Sequence, residues 1–323
     1  MVAPLDRVKI LFQASNPQFQ KYTGSWTGAA TAIRDIWFQD GPRGLFRGHS
    51  ATLIRIFPYA GIKFLAYEQI RAHLIKHKDH ETPLRRFAAG SLAGMVSVFF
   101  TYPLEVIRVR LAFETKREGR SSLTSIVRKI YYEHPSAPST RTPRIDTSSA
   151  PRAAYSTVAS ATSVIQQAAI QKGGITNFFR GFTATLCGML PYAGSSFLVH
   201  DTMSDLLRHP RLAPTTTIPG TERPDRNKTA QLKYWAELST GGVAGFVSQT
   251  VSYPLEVIRR RMQVGAVVGD GHRLRMGEVA RCIWMERGWR GFFVGLGIGY
   301  VKVVPMVATS FFAYERAKWY LGI

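Results

Sequence analysis

Long apolar stretches alternate with short charged ones along this chain. Phe87 to Leu104 is a run of 18 residues that no charge interrupts, close to the roughly 20 residues of helix that cross a hydrocarbon core. Residues 235–255 read the same way, with Glu237 as their one charge. Residues 183–207 and 298–321 are further stretches of spanning length, and Ser50 to Leu74 is apolar with sparse charges at Arg55, Lys63, Glu68 and Arg71. Gly90 and Gly94 in one run, and Gly241 and Gly245 in another, have the spacing that lets helices approach closely in lipid. Between the runs, the pattern predicts an amphipathic helix around Trp26–Phe38 and a loop at 76–85. Residues 134–163 are dense in Ser, Thr, Pro and Ala, and residues 210–232 form a Pro- and Thr-rich charged linker; both compositions predict solvated chain without a packed core.

The apolar runs end on a repeated phrase. Pro4-Leu5-Asp6-Arg7-Val8-Lys9, Pro103-Leu104-Glu105-Val106-Ile107-Arg108 and Pro254-Leu255-Glu256-Val257-Ile258-Arg259 share a proline, an acid two residues on and a base three further on. A second landmark follows each copy: Gly41 to Gly48, Gly174 to Gly181 and Gly288 to Gly295, each closing on an aromatic, one residue and glycine. A third is Pro58, Pro191 and Pro305, with an acid ten residues beyond at Glu68, Asp201 and Glu315. Three landmarks in register three times define an internal repeat. The middle copy holds about 35 extra residues between its first two landmarks, which is the Ser/Thr/Pro segment. The repeats are therefore expected at 1–80, 84–209 and 233–323. About 17 residues of helix precede Pro103 and Pro254 but three precede Pro4, so half of a first helix is expected to be missing.

Charge narrows the partner. Lys plus Arg number 42 and Asp plus Glu 21, a net charge of +21, which favours an anionic partner. The uncharged runs argue against a soluble nucleic-acid binder, although the mean hydropathy of −0.06 would by itself suit a soluble protein. Two cysteines, Cys187 and Cys282, allow no zinc site or disulfide framework, and no secretory signal precedes the first motif. No nucleophile–base pair, metal cluster or phosphate loop is visible, and His49, His200 and His272 are isolated. An enzyme is not expected, nor a metal or cofactor.

The triplicated Pro-x-acid-x-x-base phrase with its glycine block resembles the mitochondrial carrier family over the whole chain apart from insert and linker. Residues 3–13 and 48–58 look most like its coenzyme A carriers, the fungal branch close to the Graves-disease carrier. The resemblance implies an all-α inner-membrane protein: three tandem repeats, each two transmembrane helices and a short matrix helix, in a pseudo-threefold barrel. It implies an N-terminally truncated chain, a monomer, and contacts with membrane lipid. Proline inside a helix kinks it, and the resemblance implies a matrix gate pairing Asp6 with Arg108, Glu105 with Arg259 and Glu256 with Lys9. Gln13 and Gln263, nine residues after their motif prolines, would brace it. A cytoplasmic gate would use Tyr67, Glu68, Arg71, Asp201, Tyr314, Glu315 and Lys318, with Ser204 standing where the middle base is missing. Arg47-Gly48 and Arg180-Gly181 resemble cardiolipin-contact turns; Val294-Gly295 lacks the base.

Between the gates lies the expected substrate site. Thirteen residues before each acid of the cytoplasmic gate stand Arg55, Gly188 and Lys302, about 20 Å of helix away and near the midplane. Cations there are unfavourable without a partner, and no acid in those three helices pairs with them. A bound anion would compensate them, with Lys63 on the same strip as Arg55. Gly188 followed by Met189 leaves room for a flat ring beside a polarizable contact, and in the family marks adenine-containing cargo. The expected function is transport of coenzyme A, or a related phosphorylated adenine compound, by alternating access. An ATP-Mg or ADP carrier and a non-transporting membrane protein are the alternatives.

Overall fold

The computed structural model describes residues 2–24, 27–74, 83–115, 122–133, 174–218, 231–268 and 275–321; the expected insert at 134–163 lies outside them. The described residues are helical nearly throughout. In chain order the helices are α1 (Ala3–Gln13), α2 (Gly28–Asp40), α3 (Pro42–Leu45), α4 (His49–Leu74), α5 (Pro83–Phe113), α6 (Leu123–Tyr131), α7 (Phe182–Leu207), α8 (Ala213–Thr216), α9 (Tyr234–Val268), α10 (Met276–Arg287) and α11 (Leu296–Leu321). Short 3-10 turns at Gly174–Phe179 and Gly288–Phe293 lead into α7 and α11. Among the described residues, Ala88–Phe113 and Gly174–Leu207 are long and apolar enough to cross a membrane. α4 has the length, but Arg55 and Lys63 dilute its apolar run.

Two compact units divide the chain: residues 1–182 with 258–323, and residues 183–257. In the first, Val8, Leu11 and Phe12 of α1 pack with Ala32 and Ile36 of α2, Leu45 of α3, and Val109, Ala112 and Phe113 of α5. Each fully buried aliphatic side chain there contributes about 1.5–3 kcal/mol. α4 lies along α5, and Ser97 donates its hydroxyl to the Tyr59 carbonyl at 2.7 Å. The buried small-residue stripe of α5 is Ala89, Ala93, Ser97 and Thr101. Nothing described lies within 4 Å of a side chain built at Gly90. The close-packed stripe therefore runs one residue away from Gly90, although Gly94 beside Ala93 is itself buried. In α9 the same shift recurs: Ala236, Thr240, Ala244 and Ser248 are buried, while Gly241 and Gly245 face open space among the described residues.

In the second unit, the linker expected to be plain loop begins and ends with structure. Thr217 pairs with Leu232 in an isolated antiparallel bridge, and Lys233 N donates to Thr216 O at 2.7 Å. Thr216 adds a hydroxyl bond to Leu207 O at 2.6 Å. These bonds pinch the two ends of the linker together; its middle, 219–230, lies outside the described residues.

The glycine block is where the repeat is visible in the backbone. Gly41, Gly174 and Gly288 have φ of 71°, 62° and 60°, and Gly48, Gly181 and Gly295 have 84°, 79° and 84°. Both positions need the left-handed region that glycine enters without strain. Gly48 and Gly181 need close approach too: an added Cβ would stand 3.0 Å from Arg108 O and 3.2 Å from Arg259 O, respectively. The starts of α4 and α7 thus rest on the backbone of two motif bases.

Candidate functional site

Each motif acid sits two residues past its proline. Pro103 and Pro254 lie inside α5 and α9, whereas Pro4 occupies the first turn of α1, where a missing N–H breaks no helical bond. Asp6 on α1 receives Arg108 on α5 at 3.3 Å. Glu105 on α5 is almost completely buried; its Oε1 accepts from Arg259 and, at 3.0 Å, from Arg260 Nη1. Two of the expected pairings are thus formed, the second with an extra arginine. Lys9 belongs to the first unit and Glu256 to the second, and neither is without a partner.

The expected substrate cations have partners that the sequence reading does not foresee. Arg55 and Lys302 each rest on an acid. Arg55 Nη2 lies 3.4 Å from Glu105 Oε2, and Lys302 Nζ lies 2.6 Å from Asp6 Oδ1. The acids come from α1 and α5, outside the three helices considered. Two carboxylates therefore hold five cations: Arg55, Arg108, Arg259, Arg260 and Lys302. The Tyr59 ring lies under Arg55 at 5.6 Å and Lys63 at 6.0 Å, which places both cations on one strip of α4. In the second unit, Gly188 faces Leu255, whose Cβ would lie 3.5 Å from an added Cβ, and Met189 is half-buried.

The two glutamines differ. Gln263 accepts from Arg260 Nη1 at 3.0 Å and donates to the Tyr102 hydroxyl at 3.1 Å; Tyr102 in turn donates to Arg180 O at 2.8 Å. Its link to Glu105 thus runs through Arg260, not Arg259. Gln13 is buried, and among the described residues neither end of its amide has a hydrogen-bond partner. Among the described residues no bridging side chain reaches Gln13, in contrast to Gln263.

Of the expected cytoplasmic gate, Tyr67 is half-buried, and Glu68, Arg71 and Lys318 are exposed. Asp201 is 75% exposed, 3.7 Å from His200. Ser204 is buried. The side chains of Tyr314 and Glu315 lie outside the described set.

Arg47 and Arg180 have protein partners. Arg47 pairs with Glu114 at 3.2 Å and Arg180 with Glu133 at 3.2 Å. The two bases read as lipid contacts thus each hold an acid, while Gly48 and Gly181 serve the close packing described above.

A second ring of arginines was missed in the sequence. Arg110 donates Nε to Gln263 O at 2.7 Å and pairs with Glu133 at 3.1 Å. Arg261 reaches Ser15 Oγ at 2.7 Å and Glu286 at 2.8 Å. In repeat one the job falls to Arg7, four residues earlier in register, because Leu11 stands at the equivalent position. Buried Arg7 donates to Ala112 O at 3.2 Å, Glu114 O at 3.0 Å and Asp40 at 3.1 Å, and also to Gly44 O. The available signal was a second base two residues after the first, with an acid ahead of the glycine block. At the end of α10, desolvation and the nearby Arg261 lower the Arg287 guanidinium below its ordinary pKa.

The profile of the mitochondrial carrier protein family matches residues 1–78, 79–135, 144–211 and 230–322. Mitochondrial carrier protein LEU5 of Saccharomyces cerevisiae is 48% identical, over all of this chain and 86% of the relative. Solute carrier family 25 member 16 of Homo sapiens is 34% identical, over all of this chain and 84% of its own. Mitochondrial carrier protein CoAc1 of Zea mays is 31% identical over all of this chain and 83% of its own.

Proposed function

We infer the cargo from one premise, that the chain belongs to the mitochondrial carrier family: it carries coenzyme A by alternating access. As a family member it is an all-α, multi-pass transporter of the mitochondrial inner membrane built from tandem repeats, not an enzyme, and its substrate is an anionic small molecule. The finer reading assigns the repeats to 1–80, 84–209 and 233–323, with the matrix gate at Asp6, Lys9, Glu105, Arg108, Glu256 and Arg259. The cytoplasmic gate lies at Tyr67, Glu68, Arg71, Asp201, Tyr314, Glu315 and Lys318.

The observation that supports coenzyme A is the cation excess at the gate. Arg55 and Lys302 arrive from α4 and α11 on acids that already hold motif bases. A phosphorylated cargo competes for these two cations, and an uncharged one does not. Gly188 and Met189 offer the small apolar slot that an adenine ring needs, and the name of the maize relative points to the same compound. In proteoliposomes, the full chain takes up labelled coenzyme A, and Arg55→Gln and Lys302→Gln lose that uptake. Faster uptake of ATP than of coenzyme A moves the reading to the adenine nucleotide alternative; uptake of neither overturns the adenine reading.

A further inference from the structure

Glu105 serves its three arginines unevenly, and among the described residues its Oε2 has no hydrogen-bond partner. Its Oε1 takes both Arg259 and Arg260. Arg55 is left with Oε2 at 3.4 Å, longer than an ordinary charge-assisted hydrogen bond. Arg55 and Arg260 also each keep a buried Nε that has no hydrogen-bond partner among the described residues. A guanidinium presents five donors in a rigid fork, and leaving them buried and unmet is unfavourable. The bridging task does not need Arg260: Arg259 stands at the motif position and already makes the bridge. Both candidate side chains keep a path to water, at 12% exposure for Arg260 and 21% for Arg55.

We infer that Arg260 is a further substrate-binding residue, which together with Arg55 grips a phosphate of the cargo in the place that Glu105 fills at rest. A phosphate offers three or more oxygens in a tetrahedral array. Two forks can bind it together and engage the Nε donors that the planar carboxylate leaves over. Glu105 is in this sense an internal stand-in for the cargo. Binding then draws Arg55 and Arg260 off Glu105 and removes two of the three cations that tie α4 and α9 to α5, which couples occupancy to the strength of the matrix gate. The inference rests on the phosphorylated-cargo reading and names a ligand on α9, a helix that the spacing argument for the substrate site did not include.

The test compares the full chain with Arg260→Gln and Arg260→Lys, purified and reconstituted, using coenzyme A in uptake and both coenzyme A and inorganic pyrophosphate in thermal-shift titrations. Loss of charge-assisted bonds to the cargo raises the KM of Arg260→Gln for coenzyme A about ten- to a hundredfold. Its kcat stays within about threefold, the pattern of lost ground-state binding. Arg260→Lys keeps a cation beside Glu105 but not the fork, and its KM rises as well. The melting-temperature rise that coenzyme A and pyrophosphate give the parent chain shrinks in both variants. A KM and a ligand-induced shift equal to those of the parent overturn the inference and leave Arg260 as a prop for Gln263. Failure of both variants to fold also overturns it, since Arg260 then serves the fold. A parent chain that neither transports nor is stabilised by coenzyme A overturns the cargo reading itself; retained stabilisation by pyrophosphate, lost in Arg260→Gln, keeps the phosphate grip.

Discussion

Replacing Glu105 by glutamine removes one negative charge and almost no volume. The carboxylate holds Arg260 at 3.0 Å, Arg55 at 3.4 Å and Arg259 in direct contact. At an effective dielectric of about 20, one such pair attracts by about 5 kcal/mol before desolvation and cation repulsion are counted. Removing one partner of a buried pair has a net cost of about 3–5 kcal/mol. The amide oxygen still accepts from one guanidinium, so we take about 3 kcal/mol, a factor of about 150 against the gate-closed state. For a chain of this size that lowers the melting temperature by about 6 °C. The six tryptophans allow melting to be followed by intrinsic fluorescence in detergent. Asp6→Asn is the internal control. Asp6 is more exposed than Glu105 and holds two cations instead of three, so its loss costs about 1 kcal/mol. A Glu105→Gln melting point equal to or above that of Asp6→Asn refutes the claim that Glu105 is the centre of the gate.

Glycine substitutions separate backbone strain from close packing. Gly181→Ala places a methyl 3.2 Å from Arg259 O in a left-handed backbone, whereas Gly41→Ala has the same backbone strain with nothing described within 4 Å. Each loses about 1–2 kcal/mol to the backbone, and Gly181→Ala is expected to melt lower; equal melting temperatures would show that the contact yields. Arg7→Lys keeps a charge near Asp40 but gives up the fork that reaches four acceptors. A loss of about 3 kcal/mol follows, and a melting point within 2 °C of the parent, taken at about 2 °C per kcal/mol, contradicts it. Gly188→Ala makes only an ordinary contact with Leu255 at 3.5 Å, so it should melt like the parent while coenzyme A uptake falls. Unchanged uptake removes Gly188 from the site.

Much of this molecule is legible because its constraints are local. Prolines, paired acid and base, and glycines at fixed offsets mark the helices from spacing, and the pairing of Asp6 with Arg108 and of Glu105 with Arg259 follows from the family resemblance that those motifs carry. Where the reading slipped, the deciding contact was distant in sequence. Gly90 and Ala89 offer alternative stripes, and one residue of helix turns a stripe by about 100°; only the position of α4 selects Ala89, Ala93 and Ser97. Arg47 and Arg180 suit a lipid phosphate equally well on paper. Their partners, Glu114 and Glu133, lie 67 and 47 residues away. Thr217 and Leu232 meet because the linker folds back, which a Pro- and Thr-rich composition does not disclose.

The second arginine ring shows why position in an alignment and position in space must be kept apart. Arg110 and Arg261 stand seven residues after their prolines, and repeat one has Leu11 there. By register alone the first repeat has lost its base. Arg7 lies four residues before Leu11, one turn up the same face of α1, and a long guanidinium spans that turn. It donates to the carbonyl of Ala112, as Arg110 donates to that of Gln263. Ala112 and Gln263 are themselves equivalent, each nine residues after its proline. The acid follows suit: Asp40 stands before Gly41 and pairs with Arg7. What is kept is therefore the bond from one motif helix to the end of the next, with an acid of the same repeat holding the arginine. The gate ring above it joins side chain to side chain, where the proposed cycle has a cargo anion replace an acid. In this lower ring Arg7 and Arg110 also spend donors on backbone carbonyls, which no soluble anion displaces. In the proposed cycle the bonds that exchange with cargo belong to Arg55 and Arg260, whereas those that keep adjacent helix ends together belong to Arg7, Arg110 and Arg261.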